Sequence, residues 1–418
     1  MKNSSAIALC CLFCAVTAAS DWTSFRGGAG NGHSNAKNLP SEWSPDKNIA
    51  WKTELSGASN GSPIVTGNRV LLTSASAQGK VRTLHCFSAS NGSELWKADV
   101  KFNREMPTHK TNLYGGTTPA TNGKVVVVWH SSAGLFCYDL DGKQLWSQKL
   151  GEFRHQWGYG TSPVIAGDRV ILHSGPGQKV WVGAFQLTDG QPVWKQEEPV
   201  ENDGQTNSAG KYMGSWSTPV LVTSGGKEIA VCSMSTRVNA YNVETGAIEW
   251  TCEGLRGERG DLAYTSPVIV GDICVCMGGY QGPAIALPVS GQGNVTAKRL
   301  WRIDRGNPQR IGSGVVVDGL IYMANAGPGT LECIDPRDGS QKWETRGTGN
   351  YWSSMVHADG KLFATDQDGT TTVFRPNGQQ FEKVAVNQLK DAGNSTIAVA
   401  DGALYLRTFK HLYRISAP

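Results

Sequence analysis

Two groups of residues in this chain have the types and spacing for metal or redox chemistry. Cys274 and Cys276 are separated by one residue, so a β-strand would place both sulfur atoms on the same face. Zinc would need further ligands, and no His stands near this pair in the sequence. Glu258 and Asp261 share one loop, but a calcium ion takes about six to eight oxygen ligands. We therefore predict no metal site and interpret the acidic segment as a solvated loop.

A serine motif also matches a catalytic pattern. Residues 57–61 read Gly-Ala-Ser-Asn-Gly, which fits the Gly-x-Ser-x-Gly sequence of a nucleophile elbow. That elbow must join a strand to a helix, whereas Ser62-Pro63 and a further strand-like run follow here. We expect no catalytic serine at this position.

The elements that would position a site are short strands, and one phrase recurs among them. Ala240–Trp250 reads as the end of a strand, a glycine turn and a second strand that begins near a tryptophan. A feature repeated at a fixed internal offset indicates a repeat architecture. In five copies the turn glycine stands four residues before the tryptophan: Gly92 and Trp96, Gly142 and Trp146, Gly190 and Trp194, Gly246 and Trp250, and Gly339 and Trp343.

A second phrase precedes the tryptophan turns and consists of a Ser/Thr-Pro step, a β-branched run and a glycine turn. Glycine turns between β-branched runs join hairpin strands, because glycine adopts a positive φ at no steric cost. One unit is therefore four antiparallel strands, the pattern of a propeller blade. The phrase occurs at Ser62-Pro63, Thr118-Pro119, Ser162-Pro163, Thr218-Pro219 and Ser266-Pro267, and without the proline at Val315, Val356 and Ile397.

The large aromatic residue at the turn gives the number of blades. Six copies carry tryptophan, a degraded seventh lies near Phe381, and the final unit ends before its own tryptophan. Trp51 has no preceding unit, so its strand should complete the last blade. We predict an all-β, eight-bladed β-propeller of four-stranded antiparallel blades, closed by the N-terminal strand, without free sheet edges. We expect seven tryptophans to wedge between blades, with a partner for each N–H: Trp51, Trp96, Trp146, Trp194, Trp250, Trp301 and Trp343.

Composition and the N-terminus limit the class of protein. Charged residues make up 18% and glycine numbers 51, which is typical of many short strands. Lys2, an apolar run and small residues up to Ser20 indicate a cleaved secretory signal peptide. We predict a signal peptide at 1–20, an N-terminal extension at 21–47 and the propeller at 48–418. No run approaches the roughly 18 apolar residues of a membrane span.

The charge distribution limits the classes of partner, and the cysteines limit the chemistry. Loss of Lys2 lowers the net charge from +4 to +3, and the remaining charges are scattered, so we expect no nucleic-acid partner. Seven cysteines follow the predicted leader, an odd number, so at least one is unpaired. Cys86, Cys137 and Cys333 occupy the same place in three repeats. That position favours a small apolar core residue over a redox role.

The two phrases resemble the repeats of pyrroloquinoline-quinone (PQQ)-type propellers, whose blades end Ala-x-Asp-x-x-Thr-Gly-x-x-x-Trp. Ala240–Trp250 is similar to this motif with Asn242 in place of the acid, while Asp139 and Asp335 keep it. Residues 21–28 and 109–119 look like the bacterial group of PQQ-binding-like propeller repeat proteins, and the resemblance covers nearly all of the mature chain. It implies the fold and not the cofactor, since the assembly lipoprotein BamB has the same blades without a quinone.

The same repeats also resemble those of quinoprotein alcohol and sugar dehydrogenases. Those enzymes hold a quinone over the channel, with calcium on Glu, Asn and Asp, a catalytic Asp and usually two adjacent cysteines. Here the adjacent pair is Cys10-Cys11, inside the leader, and the chain is shorter in the loops that would build the site. We expect no cofactor and no catalytic residue. PQQ with Ca²⁺ belongs to the alternative hypothesis, a PQQ-dependent dehydrogenase.

The segments that enter the innermost strands should form the channel mouth, where loops on a rigid scaffold carry binding residues. Trp, Tyr and Arg are common interface anchors, although the same aromatic residues are equally consistent with a filled channel core. We predict a periplasmic or secreted, non-catalytic binding or scaffolding module whose partner is another envelope protein or an extracellular ligand. The candidate binding residues are His109, Lys110, Asn112, Tyr114, His155, Trp157, Tyr159, Tyr212, Trp216, Arg259, Tyr264, Arg310, Tyr351 and Trp352.

Overall fold

The computed structural model describes residues 21–417, which form β-strands and four short 3-10 helices. The signal peptide predicted at 1–20 lies outside the described residues. Within residues 21–417, no helix is long and apolar enough to cross a membrane. The 3-10 helices are Ala77–Gly79, Ser131–Ala133, Val200–Asn202 and Thr296–Lys298.

Eight four-stranded antiparallel sheets form a ring, and we number these blades in chain order. The first strands of neighbouring blades contact each other, which places them innermost. From inner to outer strand, blade 1 is Ile64–Thr66, Arg69–Ser76, Val81–Ser88 and Glu94–Lys101; blade 2 is Ala120–Thr121, Val125–Trp129, Leu135–Asp139 and Gln144–Gln148; blade 3 is Val164–Ala166, Arg169–His173, Trp181–Gln186 and Pro192–Glu197; and blade 4 is Val220–Ser224, Lys227–Ser233, Arg237–Asn242 and Ile248–Glu253.

The second half of the ring repeats this order, and four short strands lie outside the four-strand pattern of the blades. Gly293–Asn294 joins the outer strand of blade 4, His33–Ser34 joins the inner strand of blade 7, and Met213–Ser215 pairs with Asp261–Ala263. Blade 5 is Val268–Val270, Ile273–Met277, Ala284–Pro288 and Trp301–Ile303; blade 6 is Val315–Val317, Leu320–Ala324, Thr330–Ile334 and Gln341–Arg346; blade 7 is Val356–Ala358, Lys361–Thr365, Thr370–Arg375 and Glu382–Gln388; and blade 8 is Ala398–Ala400, Ala403–Arg407, His411–Ser416 and Ile49–Glu54.

Blade 8 is built from both ends of the chain. Ile49–Glu54 pairs antiparallel with His411–Ser416, and Trp51 lies opposite Arg414. This confirms the predicted eight-bladed ring and its closure by the N-terminal strand. Closure pairs the last blade within the chain, but Ile49–Glu54 remains the edge strand of its sheet, so the prediction that no free sheet edges remain is wrong.

Each indole of the repeat docks on the segment that precedes the outer strand of the next blade. A Cβ at Gly246 would lie 2.5 Å from the Trp194 ring, and one at Gly92 would lie 2.6 Å from Trp51. The turn therefore needs glycine both for its positive φ and for the indole of the neighbouring blade. The indole nitrogens of Trp51, Trp96, Trp146, Trp194, Trp250, Trp301 and Trp343 donate to the carbonyls of Ala89, Leu140, Leu187, Val243, Val289, Pro336 and Asn377 at 2.7–2.9 Å.

The seventh copy is not at Phe381, and that prediction is wrong. The strand register places Ala385 opposite Val373, as Trp343 lies opposite Cys333 in the preceding blade. Phe381 packs instead against Trp343, with ring centroids 5.8 Å apart. Trp43 of the N-terminal segment is 3% exposed and lies in the same apolar cluster as Ala385, so an indole from outside the repeat fills this part of the core.

The eight hydroxyl residues that open the inner strands surround the channel, and seven hydrogen-bonded links join them in series from Ser266 round to Thr218. We call this set the hydroxyl ring. In each link a backbone N–H of one blade donates to the Ser or Thr side chain of the next. The links are Ser62 to Thr118, Thr118 to Ser162, Ser162 to Thr218, Ser266 to Ser313, Ser313 to Ser354, Ser354 to Thr396 and Thr396 to Ser62.

The N-terminal segment lies across the channel beyond the hydroxyl ring. Trp22 pairs through its backbone with Val65 of the blade 1 inner strand. His33 and Ser34 pair with His357 and Ala358 of blade 7. Because these partners follow the hydroxyl residues along the inner strands, the segment covers the channel on that side.

The seven cysteines of the described chain are free and buried. Cys86, Cys137 and Cys333 lie opposite Trp96, Trp146 and Trp343 on the neighbouring strand, which confirms their place in a repeated core layer. The sulfur atoms of Cys274 and Cys276 lie 3.6 Å apart on one face of their strand, as the spacing predicts.

Candidate functional site

A cavity of about 570 Å³ occupies the channel on the side where the chain enters the inner strands. Hydroxyls of the ring form its deeper wall, and Phe25 of the N-terminal segment also lines it. Core side chains therefore leave this end of the channel open, and the N-terminal segment covers the far end. We call this space the mouth cavity.

One wall of the mouth cavity is aromatic and comes from blades 3 to 5. Trp157 lies with its ring centroid 4.4 Å from that of Tyr212 and 6.0 Å from that of Trp216. Trp216 meets Tyr264 edge to face at 5.4 Å, and its Nε1 donates to the Gly158 carbonyl at 3.0 Å. These contacts fix the rings relative to one another and leave Tyr212 41% exposed.

His155 supports this wall from behind. Its Nδ1 accepts the backbone N–H of Trp157 at 3.1 Å, and its Nε2 lies 3.1 Å from the Met213 carbonyl, which it meets as a donor. The ring stands perpendicular to Trp216 at 4.9 Å. Burial lowers the pKa of His155 to about 4, which keeps it neutral and able to make both bonds near neutral pH.

Because it contains buried histidines, the protein is expected to have a lower free energy of unfolding in mild acid. Burial lowers the pKa of His130 to about 3 and those of His155, His173 and His357 to about 4, from 6.5. The unfolded chain binds protons below about pH 6.5 that the folded chain does not. The free energy of unfolding is therefore expected to fall as the pH drops from about 6.5 to 4 and to be level above that range.

Urea unfolding at about pH 7.5, 6 and 5 measures this slope. A His173→Gln variant should show a shallower slope, because one depressed pKa is removed. Equal unfolding midpoints at the three pH values would contradict the prediction.

The opposite wall is a network of side-chain amides from blades 8, 1 and 2. Asn60 donates to the Asn112 side chain at 3.2 Å, and Asn394 donates to Asn60 at 3.3 Å. Asn112 also donates to the carbonyl of Tyr159 at 3.2 Å. The network ties three blades together at the mouth and uses the amide oxygens internally.

The charge of the cavity lining is one-sided. Among the described residues that line it, Arg259 is the one with a permanent charge, and no Asp or Glu is present. The Arg259 guanidinium lies 5.7 Å from the ring centroid of Tyr280. Calcium requires carboxylate and other oxygen ligands, and residues 21–417 contain no cluster of three His, Cys, Asp or Glu that could hold a metal. The residues present do not fit a calcium-bound quinone.

The acidic segment is solvated at Glu258, as predicted, but the prediction is wrong for Asp261. Asp261 is 2% exposed and pairs with Arg256 at 3.1 Å, and it also accepts hydrogen bonds from the Asn207 side chain at 3.0 Å and the Gly257 N–H at 3.3 Å. Glu258 is exposed and pairs with Arg305 at 3.0 Å. Asp261 therefore has a structural role in the strand pair beside the cavity.

The structure brings together eight of the predicted site residues and separates six from them. Tyr114 and Tyr159 pack on Arg82, Lys110 points to solvent, and His155 stands behind the aromatic wall. Arg310 pairs with Glu332, and Tyr351 is buried. The residues that line the cavity are His109, Asn112, Trp157, Tyr212, Trp216, Arg259, Tyr264 and Trp352.

Other lining residues escaped the sequence analysis. Asn60 and Asn394 stand two residues before ring hydroxyls, so the repeat register could have identified them. Tyr280 lies in a hairpin of blade 5 and Phe25 in the N-terminal segment, both outside the strand entries considered. No repeat signal marks these two positions.

Comparison with known proteins identifies the family to which the repeat belongs. The family model of the outer membrane protein assembly factor BamB matches residues 80–299 and 293–408, well over half of the chain. The chain belongs to the BamB family. BamB of Yersinia pestis is 27% identical over 285 residues, covering 64% of this chain and 65% of that protein, which is less than two thirds of its length.

Solved structures share the BamB-family fold at low identity. BamB from Moraxella catarrhalis is 15% identical with a TM-score of 0.61, covering 87% of this chain and 98% of that one. The quinohemoprotein alcohol dehydrogenase from Comamonas testosteroni is 12% identical with a TM-score of 0.65, covering 95% of this chain and 81% of that one. At these identities the likeness shows the propeller alone.

Proposed function

We propose that this BamB-family propeller is a non-catalytic binding module of the cell envelope that holds its partner at the channel mouth. The observation that carries the proposal is the mouth cavity, which the aromatic side chains of Trp157, Tyr212 and Trp352 line on a rigid ring. Partly exposed aromatic side chains on a fixed scaffold are strong interface anchors, since little conformational entropy is lost on binding. The partner we propose is another envelope protein, and export by residues 1–20 would bring the chain there.

Family membership supports this role over catalysis. The matched model and the relative from Yersinia pestis are both named for outer membrane protein assembly. The lining contains no carboxylate to act as a general base or as a calcium ligand. No cofactor is part of the proposal.

Capture of an envelope protein tests the binding role. Trp157→Ala and Tyr212→Ala are each expected to weaken capture about 30-fold, because truncating an interface anchor costs about 2 kcal/mol or more. The measurement is a pull-down from envelope extract followed by a titration of the partner recovered. Leu95→Ala, at a 49% exposed position on the outer strand of blade 1, is the matched control.

Two results would contradict the proposal. One is full capture by both mouth variants while the control behaves as the parent protein. The other is catalysis, since the fold is shared with alcohol dehydrogenases. Protein mixed with PQQ and Ca²⁺ and supplied with alcohols or sugars is expected not to reduce a redox dye, and turnover would favour the dehydrogenase alternative.

A further inference from the structure

We propose that the mouth cavity binds a saccharide that carries a carboxylate group, an inference that rests on the binding role proposed above. It follows from three properties of the cavity walls: exposed aromatic faces, an excess of hydrogen-bond donors and one cation without an acidic partner. The volume of about 570 Å³ lies within the range of about 300–1,000 Å³ of small-molecule sites.

The aromatic faces suit a sugar ring. Trp157 and Trp352 are partly exposed, and Tyr212 and Tyr280 are each 41% exposed. An aromatic face carries negative charge density, and the C–H hydrogens on one face of a pyranose are weakly positive, so the two surfaces attract. Rings from blades 3, 4, 5 and 7 surround the space, which places such faces on more than one side.

The polar part of the wall offers donors. Ring hydroxyls such as Ser62, Ser354 and Thr396 accept a backbone N–H, and their own hydrogens donate to no acceptor within residues 21–417. Gln309 and Trp157 also line the cavity, and their side chains carry N–H donors. The amide oxygens of Asn60 and Asn112 are already used in the wall. A ligand rich in acceptor oxygens complements this arrangement.

The positive charge in the cavity lining favours an acidic ligand. Arg259 lines the cavity and forms no ion pair among the described residues, and its guanidinium lies over the Tyr280 ring. No Asp or Glu lines the cavity, so a carboxylate of the ligand would be the first negative charge to reach this guanidinium. Hydrogen bonds between a guanidinium and a carboxylate are the stronger, charge-assisted kind. A cationic ligand would meet repulsion instead.

The test compares a dimer of galacturonic acid with its methyl ester, which keeps the rings and hydroxyls and removes the charge. Isothermal titration of the purified full chain near neutral pH is expected to give binding about ten-fold tighter for the acid than for the ester. Arg259→Gln should remove that difference. Trp157→Ala should weaken both ligands. Arg346→Gln, which neutralises an exposed arginine on the outer strand of blade 6, should change neither affinity.

Three results would overturn the proposal: no binding of either dimer, equal affinity for acid and ester, or an unchanged preference in Arg259→Gln. Thermal unfolding of each variant shows that the fold is retained. Capture of an envelope protein is measured separately, so a ligand result that fails leaves the binding role intact. If no envelope protein is captured but the galacturonic acid dimer still binds, the proposed protein partner is refuted and the proposed saccharide ligand is retained.

Discussion

Replacing Trp250 by alanine is expected to lower the free energy of unfolding by about 3–5 kcal/mol. The indole is 1% exposed and lies in an apolar cluster with Val238, Cys276 and Leu287 of blades 4 and 5. Its Nε1 donates to the Val289 carbonyl at 2.8 Å. Alanine would leave a cavity between two blades and a buried carbonyl without its donor.

Equilibrium unfolding in guanidinium, followed by circular dichroism, measures the Trp250→Ala effect. Ile248→Ala on the same strand is the matched control, because Ile248 is 44% exposed. This control is expected to change stability by only about 0.5 kcal/mol. Equal losses in the two variants would show that the indole has no special role between the blades.

Replacing Arg310 by methionine is expected to cost about 3–5 kcal/mol for a different reason. Arg310 and Glu332 form an ion pair at 3.0 Å, with side chains 6% and 1% exposed. Methionine would leave the Glu332 carboxylate buried without its cation, although Asn325 and Gln341 still donate to it at 3.0 Å. The loss comes from an unpaired buried charge.

A double variant separates this mechanism from simple loss of packing. Arg310→Met with Glu332→Met is expected to recover at least half of the lost stability, because no buried charge then remains. Lys47→Met serves as the surface control, since its pair with Glu42 is 59% and 64% exposed, and its unfolding midpoint should not change. A double variant as unstable as the single one would refute the charge mechanism.

The fold was predictable because its signals are local and repeated. The glycine turn and tryptophan of Ala240–Trp250 recur at fixed spacing, and Trp51 without a unit of its own implied the closing strand. The seventh position was not predictable, because Ala385 carries no aromatic signal and Trp43 reaches it from a distant part of the chain. Sequence spacing cannot show such a tertiary substitution.

The candidate site was predictable only in part. Trp157, Trp216 and Tyr264 precede inner strands, and the repeat register alone places them at the mouth. Neighbouring positions such as Tyr159 and Arg310 satisfy the same rule, yet they turn toward Arg82 and Glu332. Which way a loop side chain points depends on buried partners from other blades, and the repeat does not encode those partners.

The composite eighth blade bears on how newly made copies behave. Ile49–Glu54 precedes the first seven blades in the chain, whereas its partner His411–Ser416 follows them and is synthesised later. Until then the early strand has an unpaired edge that another molecule can use. Two copies made side by side can therefore exchange these strands and form an interlocked dimer.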